Sequence, residues 1–120
     1  MRPDIWIGHV DLKTSDLDAS HAFMIDIGLR PVFRNENVAV LELRGGTHLI
    51  LLPDETSEGG EADFDFMVEN LDDTYTQFMK KGLPVSEVSR GDIHDTFVVT
   101  EPGGNRIRVN STHVEDHGDV

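Results

Sequence analysis

The side chains in this chain that can do chemistry are few, and they recur at a spacing of two. His9 and Asp11 alternate along an apolar run, so on a strand they point the same way. His48 and Ile50 share a direction in the same manner, and so do Asp63 and Asp65. Two carboxylates on one strand face can serve as acid and base, and beside an arginine such a pair is neutralised. Arg106 and Arg108 lie on a later run and could hold an anion. There is no cysteine, so disulfides and thiolate chemistry are excluded. Any metal site must therefore use His, Asp, Glu or backbone oxygen. The serines fall in caps and loops, with no nucleophile elbow. Gly59-Gly60 and Gly103-Gly104 lack the continuation that a phosphate loop needs.

These residues need strands to position them, and the pattern supplies them. Ile5 to Thr14 alternates, with Ile5, Ile7, His9 and Asp11 on one face and Trp6, Val10 and Leu12 on the other. Ser15 to Asp18 resembles a capping box, and a helix is expected from Leu17 to about Ile27, with Leu17, Phe23, Met24 and Ile27 as its buried stripe. Gly28 ends it. Three strands are expected next, at Arg30–Arg34, Val38–Arg44 and His48–Leu52, with Gly45-Gly46 as a hairpin turn. Pro53 to Ala62 is polar and acidic and reads as a linker. The pattern then restarts: a strand over Phe64–Glu69, and a helix capped by Asn70, striped by Tyr75, Phe78 and Met79 and stopped by Gly82. Strands over Leu83–Val88, His94–Thr100 and Arg106–Ser111 close the chain, followed by a loose tail from His113.

The length of 120 residues fits one domain, or two half-domains sharing a core, with roughly two-thirds of the extended-chain surface buried. The formal net charge is −13, which repels phosphate backbones and anionic lipids, so no nucleic-acid or membrane partner is expected. The acidic runs read as a solubilising surface. No apolar run approaches the ~20 residues of a membrane span, and the N-terminus lacks a signal-peptide pattern, so a cytoplasmic location is expected by default.

The chain also repeats. HVDLKTSDLD (9–18) lies over DFDFMVENLD (63–72) at an offset of 54, and GGTHLIL (45–51) over GGNRIRV (103–109) at an offset of 58. The opening IGHVDLKTSDLDAS and the closing FVVTEPGGNRIRV resemble the start and end of a module of the glyoxalase / bleomycin-resistance / extradiol-dioxygenase (vicinal oxygen chelate) superfamily, across residues 5 to 113. Met24 stands where that family usually has Tyr, and Glu101 and Gly103 where it usually has Asp. The resemblance implies an α+β fold: residues 1–120 as a single domain of two βαβββ modules, 5–52 and 63–111, joined by a linker at 53–62. The modules would form a cupped mixed β-sheet with helices on the outside and a cleft between them. It also implies a homodimer.

The family's metal site uses inward positions on the first and last strand of each module, typically His and Glu. Those positions map to His9, Ile50, Asp63 and Arg108. His9 matches, Asp63 is a candidate ligand, Ile50 cannot bind a metal, and Arg108 repels one. An Asp63–Arg108 ion pair is expected in place of half the site. His48, two residues before Ile50, gives a displaced alternative: His9 and His48 as metal ligands with Asp63, Asp11 or Glu42. No cofactor is assigned beyond the divalent metal that such a site would take. His94, at a strand start, and His113, after the last strand, read as surface polar residues, and His21 and His117 receive no role. The ligand-cleft candidates are thus His9, Asp11, His48, Ile50, Asp63, Asp65, Arg106 and Arg108, with Trp6, Phe66 and Phe97 as apolar walls. Two readings follow. One is a small-molecule-binding protein without the standard chelate, and it is preferred. The other is a metal-dependent lyase, epimerase or dioxygenase with a displaced His9/His48 site.

Overall fold

The structure is a computed structural model, and it describes residues 2–112. His113 and His117 lie outside the described residues. The first half forms β1 (His9–Thr14), α1 (Leu17–Asp26), β2 (Arg30–Arg34), β3 (Ala39–Glu42) and β4 (His48–Pro53). The second forms β5 (Gly60–Val68), α2 (Leu71–Lys80), β6 (Thr96–Thr100) and β7 (Asn105–Ser111). The α+β class expected from the sequence is observed, as two small sheets with two helices.

Among the described residues the chain divides into two compact units, one of Ile5–Glu61 with Glu101–Asn105, the other built mainly on Ala62–Thr100 and residues 106–112. In the first unit the strand order is β1-β4-β3-β2, with β1 parallel to β4 and the other pairs antiparallel. In the second unit the order is β5-β7-β6. In each half, therefore, the first and last strands are neighbours.

Alternation decides which face of the first sheet is covered. Leu12, Leu41, Leu49 and Leu51 are buried, and Leu17, Ser20, Phe23 and Met24 of α1 are buried with them. The odd-numbered residues of β1 and the even-numbered residues of β3 and β4 lie on the other, more open face. In the second unit Phe97 is clasped by Tyr75 and Phe78 of α2, with ring centroids 5.1 and 5.6 Å away. Ile107, Val109 and Val99 complete that core.

Several elements differ from expectation. The cap of α1 is Asp16, whose carboxylate accepts from the Ala19 N–H, one residue after the expected Ser15. β1 begins at His9 and not at Ile5, and Ile5, Trp6 and Ile7 are exposed. The linker is shorter, because β5 already starts at Gly60. Met79 is exposed, so the buried side of α2 is Leu71 and Phe78. The expected strand at Leu83–Val88 is reduced to isolated bridges, Val85 with Val99 and Ser89 with Thr96. Pro84 has no N–H to give a ladder, although its carbonyl accepts from Thr100 N, and Ser86 pairs with Val98 through both backbone and hydroxyl.

Candidate functional site

The site is built from the strand register of the first sheet. Arg30 pairs with Glu42, Glu42 with His48, and His48 with His9. These four residues thus form one transverse row across all four strands. Directly opposed residues share a face, so the row stands together on the open side. Arg30 forms an ion pair with Glu42 through Oε2. The other carboxylate oxygen, Oε1, lies 3.5 Å from His48 Nε2. The His48 ring stacks on His9, with centroids 6.3 Å apart and planes inclined by 22°. The Glu42 side chain is only 19% exposed, so a carboxylate largely withdrawn from water serves two basic partners at once.

The next row is Phe33, Val40, Ile50 and Asp11. A bulge between Pro31 and Phe33 shifts the register there. Without it, residue parity would turn Phe33 to the other face. Phe33 is exposed, Val40 and Ile50 are half-buried, and the Asp11 end is open to water. The third row pairs Lys13 with Leu52.

This register corrects the sequence-based mapping. Ile50 lies opposite Asp11, and the residue opposite His9 is His48. Counting a two-residue period fixes the face but not the row, so a shift of two residues leaves the parity intact. Glu42 and Arg30 were underweighted for the same reason. The signal for Glu42 was present: a hairpin centred on Gly45 pairs residue 42 with residue 48, whatever the sheet around it. The turn itself is a short 3-10 segment, Arg44–Gly46, with positive φ at both glycines.

In the second unit, Asp63, Asp65, Arg106 and Arg108 are all exposed. Asp65 accepts a 3.0 Å hydrogen bond from Asn110 Nδ2, and the Asn110 side-chain oxygen accepts in turn from Thr96 Oγ1. The expected Asp63–Arg108 ion pair is not formed among the described residues. Both side chains are solvated, and without desolvation there is little to drive exposed charges into a fixed pair. The aromatic walls are corrected as well. Phe97 is 1% exposed and belongs to the core under α2, and Phe66 is also buried.

A buried polar cluster anchors the hairpin before β7 within the first unit. Glu101 is 2% exposed. Its Oε2 accepts from Ser20 Oγ at 2.5 Å, and its Oε1 accepts from Asn105 N and Nδ2. Thr14 Oγ1 lies 2.7 Å from Ser20 Oγ, and Asn105 Nδ2 also reaches the Lys13 carbonyl. This network fixes the end of β1 by structural means and exposes nothing to a ligand.

The remaining histidines stand apart. His94 Nδ1 is 2.9 Å from the Ser111 carbonyl. His21 lies beside Arg34, which is paired with Asp18. Burial and then the Arg34 charge hold the His21 pKa below its usual value, with Asp18 opposing.

With this geometry in place the chain can be compared with known proteins. A sequence profile described as the Glyoxalase/Bleomycin resistance protein/Dioxygenase superfamily matches residues 6–109. The chain belongs to this superfamily. Solved structures agree on the fold. The chain is similar to a lactoylglutathione lyase from Agrobacterium tumefaciens, with a TM-score of 0.77, 23% identity, and coverage of 92% of this chain and 96% of that one. It is similar to a bleomycin resistance determinant encoded on the transposon Tn5, with a TM-score of 0.70, 18% identity, and coverage of 90% and 98%. It is also similar to a fosfomycin resistance protein from Listeria monocytogenes, with a TM-score of 0.76, 10% identity, and coverage of 92% and 93%. At these identities the likeness shows the fold alone. No curated protein sequence matches the chain significantly.

The residues at the superfamily's four-ligand metal site differ in their capacity to ligate. Arg108 carries a fixed positive charge and cannot ligate, and the register puts His48, not Ile50, opposite His9. Among the described residues, no three His, Asp or Glu side chains are grouped to hold a metal ion. No helix among the described residues is long and apolar enough to cross a membrane.

Proposed function

We propose that this member of the superfamily binds a small molecule, without the family's standard chelate, on the open face of its first sheet. The observation that carries this reading is the row Arg30–Glu42–His48–His9. It gathers ionised and hydrogen-bonding groups on a sheet face beside an apolar row, the mixture that small-molecule sites use. The fixed positive charge at position 108 supports the part of the proposal that concerns the chelate.

One observation favours a second reading, a metal-dependent lyase, epimerase or dioxygenase. Two imidazoles in direct register on adjacent strands, His9 and His48, supply two nitrogen donors from one row. A metal held there would act as a Lewis acid, and the chain's own part would be to hold it through these two rings, with Glu42 orienting His48.

Metal content separates the two. The protein is purified without an affinity tag after growth with Mn, Fe, Co, Ni and Zn, and analysed by mass spectrometry. The binding reading predicts far less than one metal per chain. About one metal per chain, lost in His9→Ala or His48→Ala, would overturn it in favour of the second reading. A homodimer belongs to the proposal on family resemblance alone. Analytical ultracentrifugation reads it directly, and the mass of a single chain at micromolar concentration would contradict it.

A further inference from the structure

We propose that Met67 and Met79 are sites of peroxide oxidation, at which the second unit takes up oxygen as methionine sulfoxide while Met24, in the core of the first unit, is spared.

The chain has no cysteine, so methionine is its only sulfur and thioether oxidation is the sulfur redox chemistry open to it. Among the described residues the methionines fall into two kinds. Met24 lies on the buried side of α1 and is 0% exposed. Met67 and Met79 are 52% and 55% exposed. Regular structure holds both of them in water. On β5 the exposed residues alternate, Glu61, Asp63, Asp65 and Met67, so Met67 stands on the open side of its strand. On α2 the buried side is Leu71 and Phe78, and Met79, one residue beyond Phe78, is turned outward. The Met79 carbonyl accepts from Gly82 N at 3.0 Å, so its turn of the helix is closed.

The chemistry needs that exposure. A sulfur lone pair attacks one oxygen of the peroxide and the O–O bond breaks. The transferred oxygen gives its proton to the departing one, which leaves as water or an alcohol. Sulfur loses two electrons and the peroxide gains them. At 0% exposure the Met24 side chain meets neither the peroxide nor the water that carries the proton. A peroxide is uncharged at neutral pH, so the carboxylates beside Met67 and the net charge of −13 do not repel it.

The product separates the positions as well. A sulfoxide is a polar hydrogen-bond acceptor. At positions 67 and 79 water solvates it, and the fold carries the modification. At position 24 it would be buried without a donor, which the core does not tolerate.

The test treats the folded full chain with hydrogen peroxide and follows each methionine by peptide mass spectrometry, with fragmentation to place the added oxygen. Met67 and Met79 are expected to react at least about ten-fold faster than Met24, which reacts only when the core opens. In urea above the unfolding midpoint the three rates should converge. The chain oxidised at Met67 and Met79 should keep a dispersed amide spectrum and a urea midpoint close to that of the untreated protein, and methionine sulfoxide reductases should restore both thioethers. In the double variant Met67→Leu, Met79→Leu, Met24 should stay slow, which assigns its protection to burial and not to competition for the peroxide. Fast oxidation of Met24 in either folded protein overturns the inference. So does slow oxidation of Met67 or Met79, or loss of the fold when those two are oxidised.

Discussion

His9 and His48 face each other across the parallel β1–β4 pair, and Glu42 reaches His48 from the strand on the other side. This places Glu42 at the centre of the row, holding Arg30 with one oxygen and His48 with the other. Glu42→Gln keeps the shape but removes the charge and half the accepting capacity. Its cost in stability should be small, about 1 kcal/mol or less, because Arg30 is exposed and His48 is partly so. Its effect on ligand binding should be larger, since Arg30 and His48 both lose the carboxylate between them. Urea unfolding beside a ligand titration measures both. A large loss of stability with unchanged binding would mean that the row is structural.

Glu101 behaves in the opposite way. It is buried, and it accepts from Ser20, Asn105 N and Asn105 Nδ2. Glu101→Leu takes the acceptor from the Asn105 N–H and leaves Ser20 with Thr14 alone and Asn105 Nδ2 with the Lys13 carbonyl alone, at a cost of about 3 kcal/mol. Ser20→Ala should cost about 1–2 kcal/mol, since the carboxylate keeps its Asn105 donors. Urea midpoints at constant m-value test the ranking.

Two glycines separate backbone strain from crowding. Gly59 has φ of +82° and a Cβ there would lie 2.3 Å from the backbone of Gly104, whereas Gly45 has φ of +84° and open space around it. Gly45→Ala should cost about 1–2 kcal/mol, the left-handed penalty alone. Gly59→Ala should cost clearly more, because backbone atoms must move. Equal thermal shifts for the two would refute the close approach.

The pH dependence follows from His21. Its pKa is lowered by burial first and by Arg34 second, with Asp18 raising it. The folded state therefore binds fewer protons than the unfolded state in the window below 6.5. Stability from this group is fully present above that value and is lost as pH falls through the folded pKa. In His21→Gln the decline of urea stability on the acid side of 6.5 should be shallower than in the wild type. Parallel pH curves would show that His21 carries none of it.

Much of the fold was legible because its signals are local. Asn70, Gly28 and Gly82 bracket the helices by capping chemistry, and the glycine pairs mark the turns. The family resemblance implied that first and last strands would be neighbours, as β1 and β4 are. The row was less legible. Parity told that His48 and Ile50 share a face, and the resemblance set His9 on it with them, but only the register tells that His48, and not Ile50, meets His9. Phe33 was hidden for a related reason, since a bulge reverses the parity from which its face would be counted. Glu101 was read as part of a turn motif. Nothing local in EPGGN says that its carboxylate turns inward to Ser20, eighty-one positions away in sequence.

The central claim is that the Arg30–Glu42–His48–His9 face holds the ligand. The most direct measurement is a thermal-shift screen of small charged and uncharged compounds on metal-free protein, run in parallel on the wild type, His48→Ala and an Asp63→Ala control in the other unit. The account predicts at least one compound that raises the Tm of the wild type and the Asp63→Ala control, with the shift lost in folded His48→Ala. Shifts of equal size in all three proteins, or a shift lost only in the control, would contradict it.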